Sequence, residues 1–115
     1  MTIVAPADNF EASEVIKQAV SYNQPLYIRY GKKPMMDIHP PGTKFKIGKS
    51  ILVKKGEDLT IIATGETLQR AYLAYEILKE NNIHCSIISM HTIKPFDKDT
   101  FLEFSKNSKA ILTIE

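Results

Sequence analysis

The stretch from Asp58 to Ile88 constrains this chain more than any other. Leu59 to Ala63 is an unbroken run of apolar and β-branched residues, the pattern of a strand buried on both faces. Gly65 interrupts it and lets the backbone turn. Leu68, Ala71, Tyr72, Tyr75 and Leu78 then recur with the period of one helical face. Asn81-Asn82 closes that helix, and Cys85 to Ile88 reads as a second buried strand. Two buried strands joined by a helix make a parallel βαβ unit. The predicted fold class is therefore α/β, a parallel or mixed sheet flanked by helices.

A second βαβ unit precedes it. Thr2 to Ala5 reads as a short strand, and Asp8 with Glu11 has the spacing of a capping box. Ala12, Val15, Ile16, Ala19 and Val20 supply a helical face, and Leu26 to Tyr30 a strand. Two strands and one helix do not bury both faces of a sheet, so this unit is expected to belong to something larger. Gly31 to Gly48, with Pro34, Pro40 and Pro41, reads as an extended loop. Ile47 to Lys55 is predicted to turn at Gly56-Glu57-Asp58 and pair as an antiparallel hairpin with Leu59 to Ala63. His91 to Phe96 reads as irregular. Asp97 is the expected N-cap of a helix carrying Phe101, Leu102 and Phe104, and Ala110 to Ile114 is a last strand. Both ends fall close to predicted strands, so the expectation is a piece cut from a longer fold.

Bulk properties exclude several classes. The 115 residues fit one domain of ordinary composition, 43% hydrophobic and 24% charged. A net charge of +2 is too small to imply nucleic acid or an anionic membrane. Cys85 is the single cysteine, which rules out an internal disulfide; within an apolar run it reads as a buried, inert thiol. With no long apolar run and no signal-peptide pattern, a cytoplasmic location is expected.

Five segments, in order, carry a resemblance: Val4-Ala5-Pro6-Ala7-Asp8 with Glu11; Pro25 to Gly31; Gly56 to Gly65; Thr92 to Asp97; and Leu112 to Glu115. Together they resemble the C-terminal half of the transketolase family. That family includes transketolases, the separate C-terminal subunits of split transketolases, 1-deoxy-D-xylulose-5-phosphate synthases and the β-subunits of 2-oxoacid dehydrogenases. Tyr30-Gly31-Lys32 is more similar to a transketolase-type subunit, with the deoxyxylulose synthases second. The resemblance implies that residues 1–32 are the last βαβ of a pyrimidine-binding domain. It makes 33–45 a linker and 46–115 a transketolase C-terminal-like domain, truncated at its end. It further implies a transferase acting on sugar phosphates with thiamine diphosphate and Mg2+, dimeric or otherwise homo-oligomeric, completed by N-terminal transketolase domains or a partner subunit. Neither cofactor is expected on this chain alone, and the piece alone is expected to be inactive. The alternative is a non-catalytic dimerisation or regulatory module.

Arg29 is the one site residue the resemblance assigns here, as a grip for the substrate phosphate. By pattern alone, a surface ion pair is the plainer reading of a strand-end arginine. Two physical facts favour the phosphate: open α/β sheets place ligands at the carboxyl ends of strands, and a guanidinium presents a fixed fork of donors. Thr64-Gly65-Glu66-Thr67 reads as a plain turn and N-cap rather than a phosphate loop, because Glu66 would repel an anion there. His39, His84 and His91 lack metal-ligand spacing and read as solvated or capping. Lys44, Lys46, Lys49, Lys54 and Lys55 read as a protected edge strand. No catalytic, cofactor-binding or metal-ligating residue is expected.

Overall fold

The computed structural model describes residues 1–115. Its strands are β1 (Thr2–Val4), β2 (Leu26–Ile28), β3 (Ile51–Lys54), β4 (Leu59–Ala63), β5 (Cys85–Ser89), β6 (Thr92–Lys94) and β7 (Ala110–Ile114). Its helices are α1 (Asn9–Ala19), α2 (Thr67–Glu80) and α3 (Lys98–Asn107). They build two mixed sheets, ordered β2-β1-β6 and β3-β5-β4-β7, flanked by helices.

The central βαβ forms as its periodicity dictates. β4 lies between β5 and β7, parallel to both, with Leu59 opposite Cys85 and Ala110. Such a strand has no solvent face, which is why it tolerates only apolar or β-branched side chains. Ile61, Ala63, Leu68, Ala71, Cys85 and Ile87 share one buried cluster, against which Tyr75 and Leu78 pack. Asn82 closes α2 in the left-handed conformation (φ 58°), and Ile83 N–H donates to Leu78 O at 2.9 Å, a glycine-type helix end built on asparagine.

Three features differ from expectation. β3 pairs with β5 rather than forming a hairpin with β4, because both edges of β4 are occupied; Leu52 lies opposite Ile88 in an antiparallel register. Gly56 makes this crossing possible: a Cβ there would stand 2.5 Å from the His84 carbonyl carbon. Second, the irregular segment after β5 contains β6, which runs antiparallel to β1 and gives the N-terminal sheet its third strand. Third, α1 buries Val15 and the carboxylate of Glu11, while Ile16 and Val20 stay exposed. The loop from Gly31 to Gly48 holds no helix or strand.

Candidate functional site

An open cleft of about 1300 Å³ lies where several strands end. β1 continues into Ala5 and Pro6, β2 into Arg29 and the Tyr30 to Met35 loop, β4 into Thr64 to Thr67, and β7 ends beside it at Ile114. All four run parallel to a neighbour, so the cleft sits at the carboxyl edge, the usual ligand position of open α/β sheets. Arg29 N–H donates to Val4 O at 2.8 Å, fixing that residue to β1 just past the end of β2. Its guanidinium is in none of the chain's ion pairs. The surface-pair reading therefore does not describe it.

The turn after β4 is held tightly. Gly65 adopts φ 58°, and its N–H donates to Ala5 O at 3.1 Å, locking the two sheets together under the cleft. The Thr67 hydroxyl reaches Thr64 O at 2.7 Å and Ile114 O at 3.0 Å. The expected turn is present, but its cap is not a side-chain one: Glu66 occupies the N-cap position without a capping bond. Lys32, Lys33 and Arg70 also line the cleft. Sequence reasoning passed over them. The available signal was two lysines directly following Arg29-Tyr30-Gly31, and an arginine on the helix face opposite Leu68 and Ala71.

Asp8 and Glu11 anchor a buried polar cluster. Asp8 caps α1 by accepting from Glu11 N–H at 2.8 Å, half of the expected capping box. The other half is replaced: Glu11 Oε2 accepts from Ala7 N–H at 2.7 Å, and Oε1 from the Ser89 hydroxyl at 2.5 Å. Glu11 Oε1 also lies 2.7 Å from His39 Nε2, and that imidazole is only 1% exposed. Asp8 Oδ2 in turn accepts from the backbone N–H groups of Ile38 and His39, at 3.0 and 3.2 Å. Every partner of these two carboxylates is structural, and together they bind the loop to both sheets.

The histidines correct the solvated reading for two of three. His84 is exposed. His39 is in the cluster just described. His91 is fully buried, stacked on Phe45 with ring centroids 4.1 Å apart. Its Nδ1 meets the Thr92 hydroxyl at 3.0 Å, and its Nε2 has no partner. Burial disfavours the imidazolium and pushes its pKa down to about 4. Burial likewise raises the Cys85 thiol, in keeping with the inert reading. Burial alone would raise Asp97 too. Bonds from Ser50 N–H and Thr100 outweigh it and hold that carboxyl below its ordinary range. No three His, Cys, Asp or Glu side chains gather to hold a metal ion, and no helix is long and apolar enough to cross a membrane.

Fold and cleft together define an open α/β protein whose carboxyl edge is lined by more basic than acidic side chains. Comparison with known proteins narrows this. The family model described as "Transketolase, C-terminal domain" matches residues 48–115, and the chain belongs to that family. It is 38% identical over its whole length to a "Putative transketolase C-terminal section" of Methanocaldococcus jannaschii, 36% of which it covers. It is 36% identical, again over its whole length, to a 1-deoxy-D-xylulose-5-phosphate synthase of Clostridium acetobutylicum, covering 19% of that protein. Among solved structures, one described as "Split gene transketolase, inactive beta4 tetramer" superposes with a TM-score of 0.94 at 29% identity. The chain covers 38% of that molecule. The chain thus spans about a third of its transketolase-type relatives and a smaller part of the synthase.

Proposed function

We propose that this chain is the C-terminal part of a transketolase-type transferase acting on sugar phosphates, in which Arg29 grips the phosphate. The observation that carries this is the unpaired Arg29 guanidinium at the carboxyl edge of parallel strands, in a chain of this family. A guanidinium holds its charge at every working pH and bonds a phosphate through two parallel N–H groups. Under this proposal residues 1–32 close a pyrimidine-binding domain, 33–45 link, and 46–115 form the C-terminal domain. The start of the family match at residue 48 supports that division. N-terminal transketolase domains, on the same or another polypeptide, complete the enzyme, and the assembly is a homo-oligomer.

Thiamine diphosphate with Mg2+ supplies the carbon–carbon chemistry in such enzymes. This chain's residues do not fit either group. The one fully buried glutamate, Glu11, is committed to Ala7, Ser89 and His39, and no three His, Cys, Asp or Glu side chains gather to hold a metal ion. The chain's part is binding and orienting the phosphorylated end of the substrate.

Replacing Arg29 with alanine in the assembled enzyme tests this. KM for a phosphorylated sugar should rise about 10- to 100-fold, the worth of a charge-assisted bidentate contact. KM for the unphosphorylated donor hydroxypyruvate should stay within about twofold. Equal losses on both substrates would remove Arg29 from the role.

A further inference from the structure

Glu66 stands in the Arg29 cleft without a partner. It makes no capping bond to α2 and enters no ion pair, although four basic side chains line the same cleft. Its place is set by Gly31: Glu66 Oε2 lies 2.8 Å from the point where a Cβ on Gly31 would stand. Only glycine there leaves room for a carboxylate to lean over the backbone, two residues beyond Arg29. One charged group thus comes from the end of β2 and the opposite one from the turn after β4. Neither neutralises the other.

A carboxylate accepts hydrogen bonds and donates none, and it raises the cost of bringing in another anion. Arg29, Lys32, Lys33 and Arg70 outnumber Glu66 and Glu115 in the cleft, so a first anionic group is still attracted. We infer that Glu66 is a specificity-determining residue of this cleft. It admits phosphomonoesters whose atoms beside the phosphate are neutral hydroxyls, and it turns away those carrying a second anionic group. The inference rests on the phosphate reading of Arg29 and adds to it the residue that limits what else the ligand carries.

Two three-carbon probes of equal size separate the cases: glycerol 3-phosphate, with a terminal hydroxymethyl, and 3-phosphoglycerate, with a terminal carboxylate. Binding of each to the full chain is followed by calorimetry at low ionic strength. The unmodified protein should prefer glycerol 3-phosphate. Glu66→Gln should strengthen 3-phosphoglycerate binding about 5- to 10-fold and leave glycerol 3-phosphate within about twofold, the scale of one charge pair near a protein surface. Gly31→Ala keeps the charge but displaces the carboxylate, and should move the preference the same way by less. Arg29→Ala should weaken both probes. If Arg29→Ala weakens both while Glu66→Gln leaves the preference unchanged, the filter is wrong and the phosphate site stands. If neither probe binds, or Arg29→Ala alters neither, the phosphate reading fails and takes the filter with it.

Discussion

Two clefts lie against the larger sheet, and their charges are used differently. The first is the Arg29 cleft. The second, about 750 Å³, is lined by Lys55, Glu57, Asp58, Glu103, Lys106 and Lys109 among others. Both are rich in charge. In the second, Asp58 and Lys109 serve the fold, while Lys55, Glu57, Glu103 and Lys106 enter no ion pair. Asp58 Oδ2 accepts from His84 N–H at 2.7 Å and Oδ1 from Lys109 Nζ at 3.3 Å. The His84 bond first, then Lys109, keeps that carboxyl below its ordinary range. This cleft sits where β4 and β7 begin, and its contacts fasten the start of β4 to the start of β5. In the Arg29 cleft, where strands end, the basic groups have no intramolecular partner. A charge pair fastens the edge where strands begin; no such pair spans the cleft where they end.

The largest expected effect lies in the buried cluster around Glu11. Glu11→Ala strips partners from Ala7 N–H, the Ser89 hydroxyl and His39 at once. A loss of about 3–5 kcal/mol in urea unfolding is predicted, the scale of breaking a buried charged network. A loss under about 1 kcal/mol would mean the loop is not fastened through Glu11.

The two glycines that border the clefts come next. A Cβ on Gly56, beside the second cleft, meets His84 and Cys85 backbone at 2.5 and 2.6 Å, and backbone cannot step aside. Gly56→Ala should cost about 2–4 kcal/mol. On Gly31 the Cβ meets only the end of the flexible Glu66 side chain, so Gly31→Ala should change stability by less than about 0.5 kcal/mol. Equal costs by thermal denaturation would erase the distinction between an edge packed backbone on backbone and one bordered by a movable side chain.

A smaller, pH-dependent effect comes from His91. Its folded pKa of about 4 lies below the ordinary 6.5, so between those values the unfolded chain binds more protons. Stability is complete above about pH 6.5 and falls as the pH drops toward 4, by up to about 3 kcal/mol. His91→Phe, which keeps a ring against Phe45, should flatten that slope in unfolding curves taken from pH 7 to 4. An unchanged slope would place the acid sensitivity elsewhere.

What was legible in the chain follows the range of the forces involved. β4, α2 and β5 are written in local periodicity, because burial on both faces demands apolar runs of defined length. The place of Arg29 at a strand end was readable from the apolar run before it, but the phosphate role came from the family resemblance, since pattern alone favoured a surface ion pair. The pairing of β3 was misread because a local turn at Gly56 says nothing about which edge is free; that depends on β7, more than fifty residues away. His39 and His91 were misread for the same reason. Their burial depends on Glu11 and Phe45, distant in sequence, and no spacing rule reports a polar network closed at such range. Glu66 was visible as a residue hostile to anions, but its lean over Gly31 was not.

The central claim is that the free guanidinium at the carboxyl edge is an anion site and the edge fastened by Asp58 and Lys109 is not. The most direct measurement is a titration of 15N-labelled protein with inorganic phosphate, following the Arg29 Nε–Hε resonance beside the backbone amides of His84 and Lys109. The account predicts a saturable shift at Arg29 and none at the other two. Shifts at His84 and Lys109 with Arg29 unmoved would contradict it.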